Sequence, residues 1–400
     1  MSALGGAARK LPNGLLFAYV DGVRRQDVNQ LWVMRVDDGK GFAVTDGLTK
    51  VSGPTWSSDG STLYFVSNRE GSMDLWAQPV GREGEPQGDP RRITVGVGMR
   101  YAIFSPDGTK LAYSKGRLVA NLWRVPILDD RPATWADAEQ LTFDQAFIEF
   151  FDVSPDGERV MVNSDRGGNH DLWMVPANGG EMVQVTHERT PEWFPTWSPD
   201  GNEVAYYSFQ TGNREIWVVP VNGGPARQLT DGKATGTQSR FPAWSPDGRE
   251  IAFVTAPGGV SNIYAVPSEG GEARQLTTLG AFFPSWSPDG ESIVYQSFEN
   301  ALWRVPAAGG DPERVTQSGR FPRWSKNGKW IFFLRVAEGT RTLWALSLDD
   351  RSDRRMADLV GKPGVMGIQG LATDGENLYF RWEEEIGDIW VMDVVTDETE

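Results

Sequence analysis

Within residues 197–230, apolar and polar positions alternate with a period of two and then give way to a short apolar run. Val204, Tyr206 and Ser208 alternate with Glu203, Ala205 and Tyr207, the spacing of a half-buried strand. Residues 216–219 form a continuous apolar run, too short for a helix and rich in β-branched side chains, which predicts a second strand. The breakers between these runs have a mechanism. In Ser198-Pro199-Asp200-Gly201, Pro presets φ, Asp bonds back to the backbone, and Gly accepts the positive φ that closes a hairpin. Residues 210–214 and Asn222-Gly223-Gly224 supply two further turns, and residues 226–230 a short outer strand. With residues 194–198 in front, the pattern predicts four antiparallel strands in about 45 residues, the dimension of one propeller blade.

The unit recurs along the whole chain. Its turn glycine returns at Gly14, Gly60, Gly108, Gly157, Gly201, Gly248, Gly290, Gly328 and Gly375, nine times at intervals of 38 to 49 residues. An aromatic residue heads the third strand of each unit: Trp32, Trp76, Trp123, Trp173, Trp217, Tyr264, Trp303, Trp344 and Trp390. Another precedes the turn at Trp56, Trp197, Trp244, Trp286 and Trp324, so 13 of the 17 tryptophans sit at repeat positions. Packing between neighbouring blades accounts for them better than stacking on a ligand.

These repeats predict an all-β fold: a single β-propeller domain over residues 1–400, of four-stranded antiparallel blades, with nine blades favoured over eight. A ring must close. The last unit stops short of an outer strand, while Gly5-Gly6-Ala7-Ala8-Arg9-Lys10-Leu11 resembles the outer strands at Gly223-Gly224-Pro225-Ala226-Arg227-Gln228-Leu229 and Gly270-Gly271-Glu272-Ala273-Arg274-Gln275-Leu276. Residues 4–11 are therefore expected to complete the last blade and close the ring.

Composition narrows the partners. The 46 glycines and 25 prolines follow from nine sets of turns. A net charge of −15 repels phosphate backbones, so no nucleic acid is expected. The absence of Cys excludes disulfides and thiolate chemistry. No stretch has the apolar length to cross a bilayer, and residues 1–20 lack the form of a signal peptide.

Catalytic chemistry is not encoded in any recognisable motif. His170 and His187 are the only histidines, both in loops; they cannot supply a three-histidine metal cage, and no GxSxG elbow occurs. The turn aspartates Asp59, Asp107, Asp156, Asp200, Asp247 and Asp289 invite a calcium reading, but a residue repeated in blade after blade serves the turn. Glycine pairs such as Gly179-Gly180 and Gly309-Gly310 lack the strand-to-helix setting of a phosphate loop. No catalytic residue, metal site or cofactor is assigned.

Function is sought where the blades differ. The loops entering the inner strands offer Met99-Arg100-Tyr101, Glu149-Phe150, Glu192-Trp193-Phe194, Arg240-Phe241, Phe282-Phe283 and Arg320-Phe321. The Phe residues read as packing. Arg100, Glu149, Glu192, Trp193, Arg240 and Arg320 are the candidate ligand-binding residues, expected around the channel mouth, where a peptide or small anionic ligand would bind.

Trp244-Ser245-Pro246-Asp247-Gly248, followed by Ile251-Ala252-Phe253, and the Ile-Trp or Leu-Trp, Gly-Gly and Arg274-Gln275-Leu276-Thr277 elements resemble the WD40-like repeat of TolB and of the propellers attached to prolyl-oligopeptidase-type and tricorn-type peptidases. The resemblance covers nearly the whole chain. It implies a scaffold that contacts proteins in the bacterial envelope, or one that gates a peptidase, and hence a periplasmic or other extracytoplasmic site. Repeats occupy these 400 residues, so neither the α/β domain of TolB nor a hydrolase domain is expected within them. The reading is a non-catalytic binding or scaffold propeller with a protein or peptide partner, monomeric and not inserted in a membrane. A propeller enzyme, a lyase or hydrolase on sugars or lactones, is the alternative from another class, and a purely structural or engineered propeller the third.

Overall fold

The computed structural model describes residues 7–11, 14–21, 30–47, 49–232, 237–337, 340–367 and 370–394. Among them the regular structure is all strand, with no helix, in antiparallel sheets that are mostly four-stranded, as the repeat pattern predicts. The chain forms two compact units, residues 118–384 and residues 1–117 with 385–400.

In the unit of residues 118–384, five sheets are built from consecutive strands. The first blade comprises Ile148–Val153, Arg159–Ser164, Asp171–Pro176 and Val183–Gln184; the second, Glu192–Trp197, Glu203–Ser208, Glu215–Pro220 and Arg227–Gln228. The third holds Arg240–Trp244, Glu250–Thr255, Asn262–Pro267 and Arg274–Gln275; the fourth, Phe282–Trp286, Ser292–Gln296, Leu302–Pro306 and Glu313–Arg314. The fifth holds Arg320–Trp324, Trp330–Ala337, Thr340–Ser347 and Asp353–Arg355.

A closing blade joins strands far apart in sequence. Val365–Met366 and Ala372–Thr373 pair with the strand Asn377–Asp393, which pairs with Lys110–Pro126, which in turn pairs with Glu139–Gln140. It touches the fifth blade through Ala133 N–H to the Met356 carbonyl at 2.8 Å, and the first through Ala120 N–H to the Ala146 carbonyl at 3.2 Å. Successive blades contact each other in turn, so six sheets close a cycle.

The other unit holds two complete sheets: Ala7–Leu11, Gly14–Asp21, Gln30–Arg35 and Gly41–Ala43, then Val51–Trp56, Thr62–Ser67, Asp74–Pro79 and Arg91–Arg92. A third is made by Met99–Phe104 with the first part of Lys110–Pro126 and the last part of Asn377–Asp393, where Lys110 Nζ meets Asp393 at 2.7 Å.

One expectation is corrected. Residues 7–11 do not complete the last blade: Ala7 faces Ala18 and Leu11 faces Gly14, so this strand supplies the inner position of the first sheet, while residues 4–6 lie outside the described residues. A hairpin to the adjacent strand closes a far shorter loop than pairing across the whole chain, and the outer-strand likeness of residues 5–11 does not outweigh it. The second and third strands of the repeats turning at Gly108 and Gly375 run straight on as the 17-residue strands Lys110–Pro126 and Asn377–Asp393, which share one sheet. Gly116 permits this: a Cβ there would lie 2.3 Å from the Ile386 carbonyl oxygen, so only glycine allows the two backbones so close.

The turns follow their sequence. Asp200 accepts from the Ser198 hydroxyl at 2.6 Å and the Asn202 N–H at 3.1 Å, and Asp107, Asp247 and Asp289 make the same pair of bonds. Indoles join successive blades: Trp197, Trp286 and Trp324 each donate Nε1–H to an inner-strand carbonyl of the blade before, those of Asp152, Ala243 and Ser285, at 3.1 Å. Second strands are more buried than alternation predicts. Val204 to Ser208 are all buried, because a blade is covered on both faces by its neighbours.

Candidate functional site

Each inner strand of the 118–384 unit opens on a bulge. Pairing slips between Ile148 and Phe151, Trp193 and Thr196, Arg240 and Ala243, Phe282 and Ser285, and Arg320 and Arg323. Phe194, Phe241, Phe283 and Phe321, each followed by Pro, take φ of 57°, 55°, 52° and 52°. Left-handed backbone in a bulky residue costs on the order of 1–3 kcal/mol and persists only where the surroundings enforce it. Here it turns the rings toward one another. Phe150 and Phe194 lie 5.0 Å apart, Phe194 and Phe241 5.2 Å, Phe241 and Phe283 4.3 Å, and Phe283 and Phe321 4.0 Å. Five buried rings, one from each consecutive blade, thus form a plug, as their packing reading requires.

The residue before each ring forms a collar: Glu149, Trp193, Arg240, Phe282 and Arg320, all half-buried. Trp193 stacks on Tyr207 at 5.6 Å, meets Phe209 edge-on at 5.8 Å, and lies 6.4 Å from the His170 ring. The Arg240 guanidinium lies over Phe241 at 5.4 Å and Phe282 at 5.6 Å, and donates to the Ser261 hydroxyl at 3.0 Å.

Three further groups join this collar, none of which the repeat pattern pointed to. Arg381, buried in the closing blade, donates to the Glu149 carbonyl at 2.7 Å and pairs closely with Glu383. Arg341 donates to the Met366 carbonyl at 2.6 Å and lies 3.7 Å from Glu383. Burial lowers the Arg341 pKa most; Glu383 raises it, while Arg381 and Arg320 lower it further. Burial likewise lowers that of Arg320. Arg341 and Arg381 therefore share the Glu383 carboxylate, with Arg320 near enough for its charge to act on Arg341. Arg341 follows the hairpin between second and third strands, on the side where variable loops were expected; Arg381 has no such signal in the sequence.

The remaining candidates lie elsewhere. Arg100 belongs to the other compact unit, where it meets Glu385 at 3.4 Å and lies over Tyr101. Glu192 is fully buried, receives the Thr186 hydroxyl in a close hydrogen bond, and is held between the first two blades. Burial pushes its carboxyl up to about 8, against the Thr186 hydrogen bond, with the charge of Asp171 adding to the rise. No group of three or more His, Asp or Glu positioned to hold a metal ion occurs among the described residues, and no helix there is long and apolar enough to cross a membrane.

Comparison with known proteins places this geometry. Residues 189–364 match the family model of the TolB beta propeller domain. The structure of a putative TolB from Agrobacterium tumefaciens superposes with a TM-score of 0.56 at 20% identity, covering 68% of this chain and all of that one. The chain is 27% identical over 184 residues to the uncharacterized peptidase YuxL of Bacillus subtilis, and 28% identical over 142 residues to an uncharacterized protein of Agrobacterium fabrum. These matches take in 44% and 35% of this chain but only 25% and 44% of the two relatives, so the chain spans less than half of either. The strand architecture and the superposition agree on a β-propeller fold, and residues 189–364 are similar to the TolB beta propeller domain.

Proposed function

We propose that the 118–384 unit is a non-catalytic binding module that takes an anionic segment of a protein or peptide at its collar. The observation that carries this reading is the pairing of Arg341 and Arg381 with one carboxylate, Glu383, with Arg320 beside Arg341 and Arg240 further round the collar, in a chain of net charge −15. Desolvated guanidiniums favour bidentate pairing with a carboxylate, and Trp193 and Phe282 offer aromatic surface beside them, the composition of binding hot spots. The rigid plug beneath means that little ordering entropy is lost on binding. A monomeric state and an extracytoplasmic site belong to the same proposal.

The test is the affinity of the full chain for acidic peptides at two salt concentrations. Wild type is expected to bind an Asp/Glu-rich peptide more tightly than its Asn/Gln counterpart, and less tightly as salt rises. Arg240→Glu with Arg320→Glu is expected to weaken binding at least ten-fold while thermal unfolding remains cooperative. Equal affinity for both peptides in wild type and in the double variant overturns the proposal.

A further inference from the structure

Beside the collar, loops of the third and fourth blades leave large apolar side chains in solvent. Leu279 is 74% exposed, Phe298 59% and Val260 46%. Single exposed apolar residues are common on protein surfaces, whereas a contiguous group marks a place where something docks. The three loops here are joined. A Cβ on Gly280 would lie 2.1 Å from the Phe298 ring, so that ring rests on the backbone next to Leu279. Phe298 also meets the collar ring of Phe282 edge-on at 4.8 Å. The Ala281 N–H donates to the Ser261 carbonyl at 2.9 Å, and the Gly280 N–H to Asn262 Oδ1 at 3.2 Å, which brings the loop of Val260 alongside.

The repeat does not require this patch. Counterparts of Leu279, four residues before the plug ring in the other consecutive blades, are Ala146, Thr190, Thr237 and Gln317, all small or polar. Nor is Phe298 carried on slack chain. Its turn is closed by the Ser297 N–H to the Ala301 carbonyl at 2.9 Å and the Asn300 N–H to the Ser297 carbonyl at 3.0 Å.

Arginines stand on both sides of the patch. Toward the third blade, the Arg240 guanidinium lies 5.6 Å from the Phe282 ring and donates to the Ser261 hydroxyl at 3.0 Å, next to Val260. Toward the fifth, the Asn300 carbonyl at the end of the Phe298 turn accepts the Gly319 N–H at 2.6 Å, one residue before Arg320. Glu299, exposed on the same turn, repels an acid placed over the patch itself. Charge complementarity therefore puts a ligand's acids at the flanks and its apolar group in the middle.

We infer that the acidic segment bound at the collar carries a large apolar side chain between its acids, which docks on Leu279 and Phe298 while the acids reach Arg240 and Arg320. The inference rests on the collar reading and narrows it: the partner offers an extended segment with Leu, Phe or Trp flanked by Asp or Glu. Burial of such a side chain is worth roughly ten-fold or more in affinity.

The experiment uses the full chain and three peptides of equal length, titrated by fluorescence anisotropy at low salt. One is acidic with a central Phe, the second has Ala at its centre, and the third keeps Phe but has every Asp and Glu replaced by Asn and Gln. Wild type is expected to bind the acidic Phe peptide at least ten-fold more tightly than the acidic Ala peptide. In Leu279→Ser with Phe298→Ser that ratio is expected to fall at least five-fold. Leu279→Ser alone, at a side chain mostly in solvent, is expected to lower it at least two-fold and carries the test should the double variant not fold. Equal affinity of wild type for the two acidic peptides, both tighter than the amide peptide, overturns this inference and leaves the collar reading standing. A ratio unchanged in the folded variants overturns it as well. An amide peptide bound as tightly as the acidic Phe peptide overturns the collar reading, and this inference with it.

Discussion

Phe283 and Phe282 are neighbours in sequence and belong to opposite regimes. Phe283 sits in the plug, 4.3 Å from Phe241 and 4.0 Å from Phe321, in left-handed backbone. Phe282 stands in the half-buried collar, where its ring meets Phe298 and the Arg240 guanidinium. The same one-residue step recurs in every consecutive blade. Plug residues are Phe five times over, while collar residues are Glu, Trp, Arg, Phe and Arg. Uniformity marks the position that the ring needs, and variety marks the position free to recognise something else. The bulge is what separates them, since it turns one side chain inward and leaves its predecessor at the rim.

The contrast can be broken most severely at the plug. Phe283→Ala removes a ring packed among several others and should destabilise the chain by about 3–5 kcal/mol, read as a shift in urea midpoint; a loss below about 1 kcal/mol would mean the plug is not a packed core. One residue before the collar, Glu192 offers a pH test. Its folded carboxyl keeps its proton to about pH 8, while the unfolded one ionises near the ordinary value of about 4.3. Between roughly pH 5 and 8 the folded state then binds more protons, so stability falls as pH rises, by up to about 1.4 kcal/mol per pH unit. Urea midpoints of wild type against Glu192→Gln across that window should converge at pH 5 and separate toward pH 8; parallel curves would refute the assignment.

Smaller effects sharpen the comparison. Phe282→Ala should cost only about 1 kcal/mol, because a half-buried ring loses less contact, and a cost equal to that of Phe283→Ala would erase the distinction between plug and collar. Arg240→Ala should change stability by no more than about 0.5 kcal/mol while weakening acidic-peptide binding. A variant that unfolds more readily yet binds unchanged would assign Arg240 to packing instead.

Much of the blade was legible beforehand. Pro-Asp-Gly turns, strand-length apolar runs and repeated indoles act within about 45 residues, and the Asp200 hydrogen bonds and the Trp197, Trp286 and Trp324 links realise them directly. Of the candidate site residues, Glu149, Trp193, Arg240 and Arg320 share the collar. Arg341 and Arg381 carry no such signal, because a lone arginine in a strand or hairpin says nothing of which blade it will face. Glu192 reads in sequence as a rim residue of the entry loop Glu192-Trp193-Phe194, yet strand alternation sends it into the gap between blades.

By itself the sequence determined the repeating sheet, its turns, and which side chains pack between blades, since each depends on contacts local to one repeat. How repeats join was decided only in three dimensions. The exchange between Lys110–Pro126 and Asn377–Asp393 and the meeting of Arg341 and Arg381 at Glu383 depend on residues far apart along the chain. Equivalent edges compete for the same partner there, and loop closure and backbone approach, not local pattern, select among them.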